Sequence, residues 1–504
     1  MARLPLLGEQ SWRTPCTPEV EPLDSPVVPD NSTACHCVAR RRAQTMSGYT
    51  HDLAQQVHAW TPADPERALE VAELAVVDTL ASAIAAIGDD TVTTALTAVG
   101  TGSAGAATAW ATGQGSDVQQ AALLNGLTAH ALDYDDVDDA MIGHPSTVLL
   151  PALLAVAEDR DLSGAAVLDA YGAGLLACRD LAAELGIVGH YAAGWHATGT
   201  VGTVAAAAAL ARLLGLDQLG TQHALGIAGS LACGSRQNFG TMTKPLHAGV
   251  AARNAVLAAT LAEGGFTADP DQLEGPLGFV SLHHGTGRSV REPAGGPDVT
   301  GLNVKLYPCC YYLHSAADAA LDLRDQGLSA AQVESVTVTV HPGGLAPLIH
   351  SRPTSGLQGK FSMEYAMAAA LLDGHLLLSS FTDEQVNRPE AQDLLRKVTK
   401  RTDPVPPVGG GASGAYAVVE VTTTTGEVLR RRVDRARGHA SRPVDEAGLR
   451  AKFDDCVAFA GLDPRRGGVV YESLRHLRAA TSVRTAMHDL RELTAAAAST
   501  TVDA

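Results

Sequence analysis

Apolar positions return at helical spacing through most of this chain. After Asp64-Pro65, an N-cap followed by proline at the first helical position, Leu69, Leu74, Val77, Leu80 and Ile84 recur about every 3.6 residues, which predicts a helix. Ser116-Asp-Val-Gln119 reads as a capping box that opens a helix ending near Leu132. Further helices are predicted over 147–158, 163–178, 198–214 and 244–263. Around 304 the period changes. Val336, Val338 and Val340 alternate with threonine, and Ala417 to Thr423 faces Val428 to Val433 across a Thr-Gly turn, which are strand and hairpin signals. Between them Phe361 to Gly374 reads as a helix closed by a glycine C-cap. Past Gly438 the helical period resumes with Leu449, Phe453 and Val457, then Leu474 to Leu493.

This pattern predicts a mainly α protein. A large all-helical domain is built from both ends of the chain, 47–303 and 432–504, and a smaller α+β lid domain, 304–431, is inserted between them. Residues 1–46 stand apart: Pro5, Pro15, Pro18, Pro22, Pro26 and Pro29 are scattered without period and Arg40-Arg41-Arg42 closes the stretch. With no apolar run of the kind a secretion signal needs, the expectation is a disordered tail or an over-extended start upstream of Met46.

Composition agrees with closely packed helices. The chain has 504 residues, 46% of them hydrophobic and only 4% aromatic, so alanine and leucine fill its cores. A formal charge of −18 argues against sequence-independent binding to nucleic acid or to an acidic membrane surface. An anionic substrate would therefore need locally placed cations. The eight cysteines lack zinc-ribbon spacing and the spread an iron–sulfur dehydratase requires, and reduced thiols in the cytoplasm are expected. No uncharged apolar run reaches membrane-spanning length; the longest alanine-rich stretch, Val201 to Leu214, is broken by Arg212.

The densest chemistry lies in His130-Ala-Leu-Asp-Tyr-Asp-Asp-Val-Asp-Asp-Ala-Met-Ile-Gly-His-Pro-Ser146. Asp133, Asp135, Asp136, Asp138 and Asp139 repel one another and require cations, a metal or solvent around them. Ser146 is expected to cap the helix that follows and hold His144 at its mouth. A solvated acidic loop is the alternative reading for these carboxylates, Asp138 and Asp139 among them. His196 stands directly before a helix capped by Thr198 or Thr200, where the helix dipole favours a neutral imidazole and a bound anion. Lys244 opens an alanine-rich helix against the dipole, so an anion or the acidic cluster is expected opposite it. His247, one turn on, either orients Lys244 or packs. Lys305-Leu-Tyr-Pro-Cys-Cys-Tyr-Tyr-Leu-His314 marks the domain junction, and Lys360-Phe-Ser-Met-Glu-Tyr365 places a tyrosine at the start of an apolar helix, where the local pattern favours a packed ring over a proton donor.

Five ordered motifs resemble the MmgE/PrpD family, which includes 2-methylcitrate dehydratases, cis-aconitate decarboxylases and an iminodisuccinate epimerase. They are Leu132-Asp-Tyr-Asp-Asp136 with His144-Pro-Ser, His196 before Val-Gly-Thr, Thr243-Lys-Pro-Leu-His-Ala-Gly249, Tyr307-Pro-Cys-Cys with His314, and Lys360-Phe-Ser with Tyr365. The resemblance covers about 50 to 490 and implies the helical domain and α+β lid. It also implies that Asp133, His144, His196, Lys244 and Tyr365 line an active site, with Arg236, Cys310 and His314 as substrate-binding positions. Where the decarboxylases carry a threonine four residues after the first aspartate, this chain has Val137. Where they carry a histidine two residues after the proline, it has Cys310, with His314 retained further on.

The expected activity is that of a hydro-lyase needing no cofactor and no metal: dehydration of a 2-methylcitrate-like polycarboxylate, by a homodimer in the cytoplasm. Epimerisation of an iminodisuccinate-like substrate and decarboxylation of cis-aconitate are the alternatives within the family. A rival of another class is a magnesium-dependent prenyl or terpene synthase, since Asp135-Asp-Val-Asp-Asp139 fits a DDxxD pattern; the scarcity of aromatics for a carbocation cavity speaks against it. A non-catalytic family member would be expected to have lost His144, His196 or Lys244, and all three are present.

Overall fold

Two glycines decide how the central helices meet. Helix α2 (Val118–His130) lies along α6 (Thr243–Glu263), and a Cβ on Gly126 would stand 2.9 Å from the Gly249 Cα, while one on Gly249 would stand 2.1 Å from the Leu123 carbonyl oxygen. Only bare backbone fits there, so the helices touch along their main chains. The crossing brings the end of α2 beside the beginning of α6. The computed structural model from which these distances come describes residues 48–284, 302–345, 347–403 and 416–501, with the side chains of 497–501 excepted. The proline-rich residues 1–46 lie outside the described residues.

Around this pair the first hydrophobic core is assembled from α1 (Pro65–Ala85), α2, α3 (Ser146–Arg160), α4 (Gly164–Leu185), α5 (Ala197–Leu213) and α6, joined by α9 (Glu446–Phe459) and the helices after it. Asp64 accepts from the Arg67 N–H at 3.1 Å with Pro65 at the first position, the start read from sequence. Buried Lys452 of α9 reaches Asp78 of α1 at 2.6 Å and the Tyr134 carbonyl at 2.8 Å, which fastens the C-terminal part onto the N-terminal helices and onto the acidic segment.

A second hydrophobic core lies within 307–433. Its sheet has the order β6-β5-β7-β8, formed by β5 (Val333–Val340), β6 (Val398–Thr402), β7 (Ala417–Thr423) and β8 (Val428–Val433); only the β5–β6 pair is parallel. Helices α7 (His314–Asp325) and α8 (Met363–Asp373) pack on it, and α8 ends at Gly374 in the left-handed region (φ 76°). The chain is mainly α, as the spacing predicts.

Several local expectations are corrected. The α2 cap is Asp117, which accepts from the Gln120 N–H at 3.0 Å, rather than a Ser116 box. The 47–303 stretch is not wholly helical: β1 (Ala107–Ala109) and β2 (Gln114–Ser116) form a hairpin, and β3 (Val137–Asp138) pairs with β4 (Leu302–Asn303). The predicted run from Leu474 to Leu493 breaks into Pro464–Arg475, a short turn at Val483–Ala486 and His488–Thr501. No single helix among the described residues is long and apolar enough to cross a membrane.

Candidate active site

Past the end of α2 the backbone turns so that Asp133 adopts φ 55°, with its N–H on the His130 carbonyl at 3.2 Å. Aspartate tolerates this left-handed region better than most residues, but it still needs support. Lys305 supplies it, donating to the Asp133 carbonyl oxygen at 2.7 Å and to Oδ1 at 3.0 Å. Lys244, carried to the same place by the glycine crossing, donates to Oδ1 at 2.8 Å. The His144 Nε2 stands 3.6 Å from that oxygen. Burial pushes the Asp133 carboxyl up, yet the ammonium groups of Lys244 and Lys305, with His144, hold it well below the usual carboxylate range. The charge expected opposite Lys244 is therefore Asp133.

A second carboxylate orients two imidazoles. Asp135, fully buried, lies 2.9 Å from the His130 Nδ1 and 3.0 Å from the His144 Nδ1. His144 Nδ1 also meets the Asp136 carbonyl oxygen at 2.8 Å, and a carbonyl only accepts, so that nitrogen carries a proton and Nε2 is the atom turned toward Asp133. His130 is pushed down to about 4, by burial first, against the pull of Asp135. Its Nε2 is buried with no hydrogen-bond partner among the described residues.

His196 is itself the residue that caps α5, and neither Thr198 nor Thr200 serves as a side-chain cap. Its N–H donates to the Gly234 carbonyl at 3.1 Å, while Gly199 packs so closely on the Cys233 carbonyl that a Cβ there would stand 2.2 Å from it. The ring meets Phe239 edge-on, with centroids 4.9 Å apart, and Nδ1 lies 3.0 Å from the Nδ1 of His247. Burial, then Lys244 and the neighbouring histidines, hold His196 well below the ordinary imidazole range. It is a neutral imidazole close to the Lys244 ammonium.

The other sequence-derived positions divide. Cys310 is buried with its N–H on the Lys360 carbonyl at 3.0 Å; its thiol is pushed up to about 11 by burial and then by Asp133, so it borders the cluster as a neutral wall. Arg236 lies at the exposed rim, donating to the Tyr191 carbonyl at 2.6 Å with its guanidinium over Phe239, the ring that also meets His196 and Lys244. His314 is buried between Tyr307 and Tyr311 with Nε2 on the Cys309 carbonyl at 3.3 Å. Tyr365 is not brought to the cluster. It is fully buried in the second core, where its hydroxyl donates to the Ser380 carbonyl and its ring meets Phe381.

Three further corrections concern the acidic segment. Ser146 caps nothing; its hydroxyl bonds the Asp136 carboxyl and the Tyr171 hydroxyl inside the core. Asp138 is buried on Arg179 at 2.9 Å and on the Met141 N–H at 2.8 Å. Asp139 pairs with His439 at 3.1 Å and accepts from Asn303 at 2.8 Å, so neither belongs to a solvated loop. Asp136 is pushed well above the carboxylate range by burial and the nearby Asp78. Three carboxyls of the DDxxD pattern thus face three different sets of partners, which is not how a diphosphate-bound magnesium is held.

His130, Asp133, Asp135 and His144 do offer ligand atoms within 4.8 Å of one another. A divalent cation there would meet Lys244 and Lys305 on its own aspartate oxygen, and the repulsion disfavours it. Sequence reasoning left out Lys305, Lys360, His130 and the pairing of His247. Lys360, buried, donates to the Leu132 carbonyl at 2.9 Å and is pushed down to about 8 by burial. Its signal, and that of Lys305, was a lysine set among apolar flanks at the head of a motif already singled out.

A mainly helical fold thus gathers two lysines on one aspartate among buried histidines. The chain belongs to the MmgE/PrpD family: residues 51–289 match its N-terminal domain and 307–466 its C-terminal domain. It is 29% identical over 347 residues to the cis-aconitate decarboxylase of Homo sapiens, spanning 66% of this chain and 71% of that one. To the cis-aconitate decarboxylase of Aspergillus terreus it is 31% identical over 310 residues, 55% of this chain and 62% of that one.

Proposed function

We propose that this chain is a cofactor-independent lyase acting on a small di- or tricarboxylate, by proton transfer at the carbon next to a carboxylate. The observation that carries this reading is the Lys244 ammonium, shared with Lys305 on Asp133 Oδ1 and close to the neutral His196. An ammonium has three N–H donors; Lys244 spends one on Asp133, and a substrate carboxylate takes up the others. Charge that develops as the α-proton leaves falls on oxygens held by Lys244, with the Lys305 ammonium fixed close by on Asp133. His196 takes the proton. His144, its Nδ1 fixed by Asp135 and the Asp136 carbonyl, presents Nε2 to the leaving group or to the carbon that must be reprotonated.

Two outcomes share this machinery. Loss of water from a 2-methylcitrate-like hydroxy acid is favoured by the apolar Val137 and by the thiol of Cys310 on the site wall, where the decarboxylases have threonine and histidine. Loss of CO2 is favoured by the relatives, both of which are cis-aconitate decarboxylases. Incubation with 2-methylcitrate, citrate, cis-aconitate and iminodisuccinate, followed by NMR, separates them; inertness toward all four overturns the reading.

Because His196 titrates below its ordinary value, the base form persists into acid. The profile of kcat/KM should stay flat on the acid side down to at least about pH 6, the reference imidazole titrating near 6.5. An acid limb centred at or above the ordinary imidazole value would assign the base elsewhere.

A further inference from the structure

The contact between His196 and His247 has a chemical consequence of its own. The same atom, Nδ1, faces its counterpart at 3.0 Å. Two lone pairs repel at that distance and two N–H groups collide, so the favourable neutral state holds one proton between the nitrogens. The tautomers of the two rings are therefore opposed. When His196 carries its proton on Nδ1, its Nε2 is a base and the His247 proton sits on Nε2; moving the shared proton across reverses both.

The surroundings make that movement useful. His196 is 1% exposed and lies close to Lys244, His130 and His144, all of which disfavour an imidazolium there. A base that merely kept the substrate's proton would create the buried cation its environment resists. His247 stands on the first turns of α6 and is part-exposed. Its neighbours are the Gly234 backbone, His196 and Lys244, and its second ring nitrogen makes no hydrogen bond within the described residues.

We propose that His247 is the solvent-side member of a two-histidine proton relay that serves His196. The proposal rests on the lyase reading above. As the substrate C–H bond breaks, its electron pair stays on the carbon as an enolate and the proton goes to His196 Nε2. The proton on His196 Nδ1 passes to His247 Nδ1, and the proton on His247 Nε2 leaves to water or buffer. Both rings end neutral, with reversed tautomers. Once His196 Nε2 has given up its proton to the departing product, a solvent proton on His247 Nε2 drives the shared proton back. His247 is in this account a positioning residue, acting on substrate only through His196.

Two variants and one spectrum test it. His247→Asn keeps a side chain able to hydrogen bond His196 but cannot pass a proton through, whereas His247→Ala leaves space for a small imidazole. In dilute non-imidazole buffer both should lose about a hundredfold in kcat, the low end for a proton-transfer group. Added imidazole should restore His247→Ala in a saturable way and leave His247→Asn slow and the wild type unchanged. Wild-type rates in both variants, or a folded His247→Ala that imidazole does not restore, would overturn the relay. Independently of turnover, 15N-histidine spectra of the wild-type protein should show one Nδ1-protonated ring in this pair, lost in His247→Ala. Two Nε2-protonated rings would overturn the relay even if the substrate is found, while failure of the wild type on every polycarboxylate would overturn the lyase reading instead.

Discussion

Lys244→Ala is expected to lower kcat/KM on the polycarboxylate substrate by about a thousandfold, the scale of losing one preorganised charge from a developing oxyanion. The ammonium it removes does two things at once. It holds Asp133 ionised at 2.8 Å, and it provides the donors left for a substrate carboxylate. Lys305 remains on Asp133, with most of its donors already spent on the backbone and side chain of that residue, so it does not replace Lys244. The fold should survive, since Lys244 lies at the part-exposed start of α6 and the Gly126–Gly249 crossing is untouched. Steady-state kinetics with a circular dichroism control checks this. Near-normal turnover would remove Lys244 from the chemistry.

Asp135→Asn should cost about as much, for a different reason. The buried carboxylate accepts from the Nδ1 atoms of both His130 and His144. An amide has a single acceptor oxygen, so its NH2 would confront one of the two N–H groups, and one ring must turn or change tautomer. His144 is the ring whose Nε2 faces Asp133, and losing its orientation misplaces the acid by more than the site tolerates; about a thousandfold in kcat is expected, by analogy with the carboxylate of hydrolase triads. On the proposed function the substrate carboxylate is held by Lys244, away from Asp135, so KM should change far less than kcat. An equal loss in both would say that Asp135 shapes the binding pocket.

How much of this was legible beforehand depends on which forces act locally. Helix periods, the Asp64-Pro65 start, the Gly374 stop and the β7–β8 hairpin depend on near neighbours and were read correctly. So was the opposition of Lys244 to the acidic cluster, since a lysine at a helix start is electrostatically misplaced unless an anion faces it. What sequence could not sort was which aspartate faces what. Asp138 and Asp139 look like solvated charge, yet Arg179 and His439, far along the chain, bury or bind them. For Tyr365 the local pattern favoured a packed ring and only the family resemblance placed it at the site; the second core takes up its ring and Ser380 its hydroxyl. His130 sat in the same dense segment and went unassigned because only the fold shows Asp135 turning back to meet it.

The MmgE/PrpD architecture brings lysines from both sequence-matched parts to one turn of backbone. Lys244 and Asp133 fall in the N-terminal match, Lys360 in the C-terminal match, and Lys305 just before it. Lys360, with Lys305 just before the second core, donates to the Leu132 and Asp133 carbonyl groups, so the second core is tied to that turn.

The central claim is that His196 and its neighbours move a proton at carbon beside a carboxylate. Turnover of the substrate panel in D2O, followed by mass and NMR analysis of product and recovered substrate, tests it most directly. Deuterium is expected at the carbon next to the carboxylate, in the product where CO2 is lost or the centre is inverted and in substrate re-formed by reverse hydration where water is lost, introduced by the wild-type protein and abolished in His196→Asn. No solvent deuterium at that carbon in either product or substrate at equilibrium, or the same incorporation in His196→Asn, would contradict proton transfer by His196.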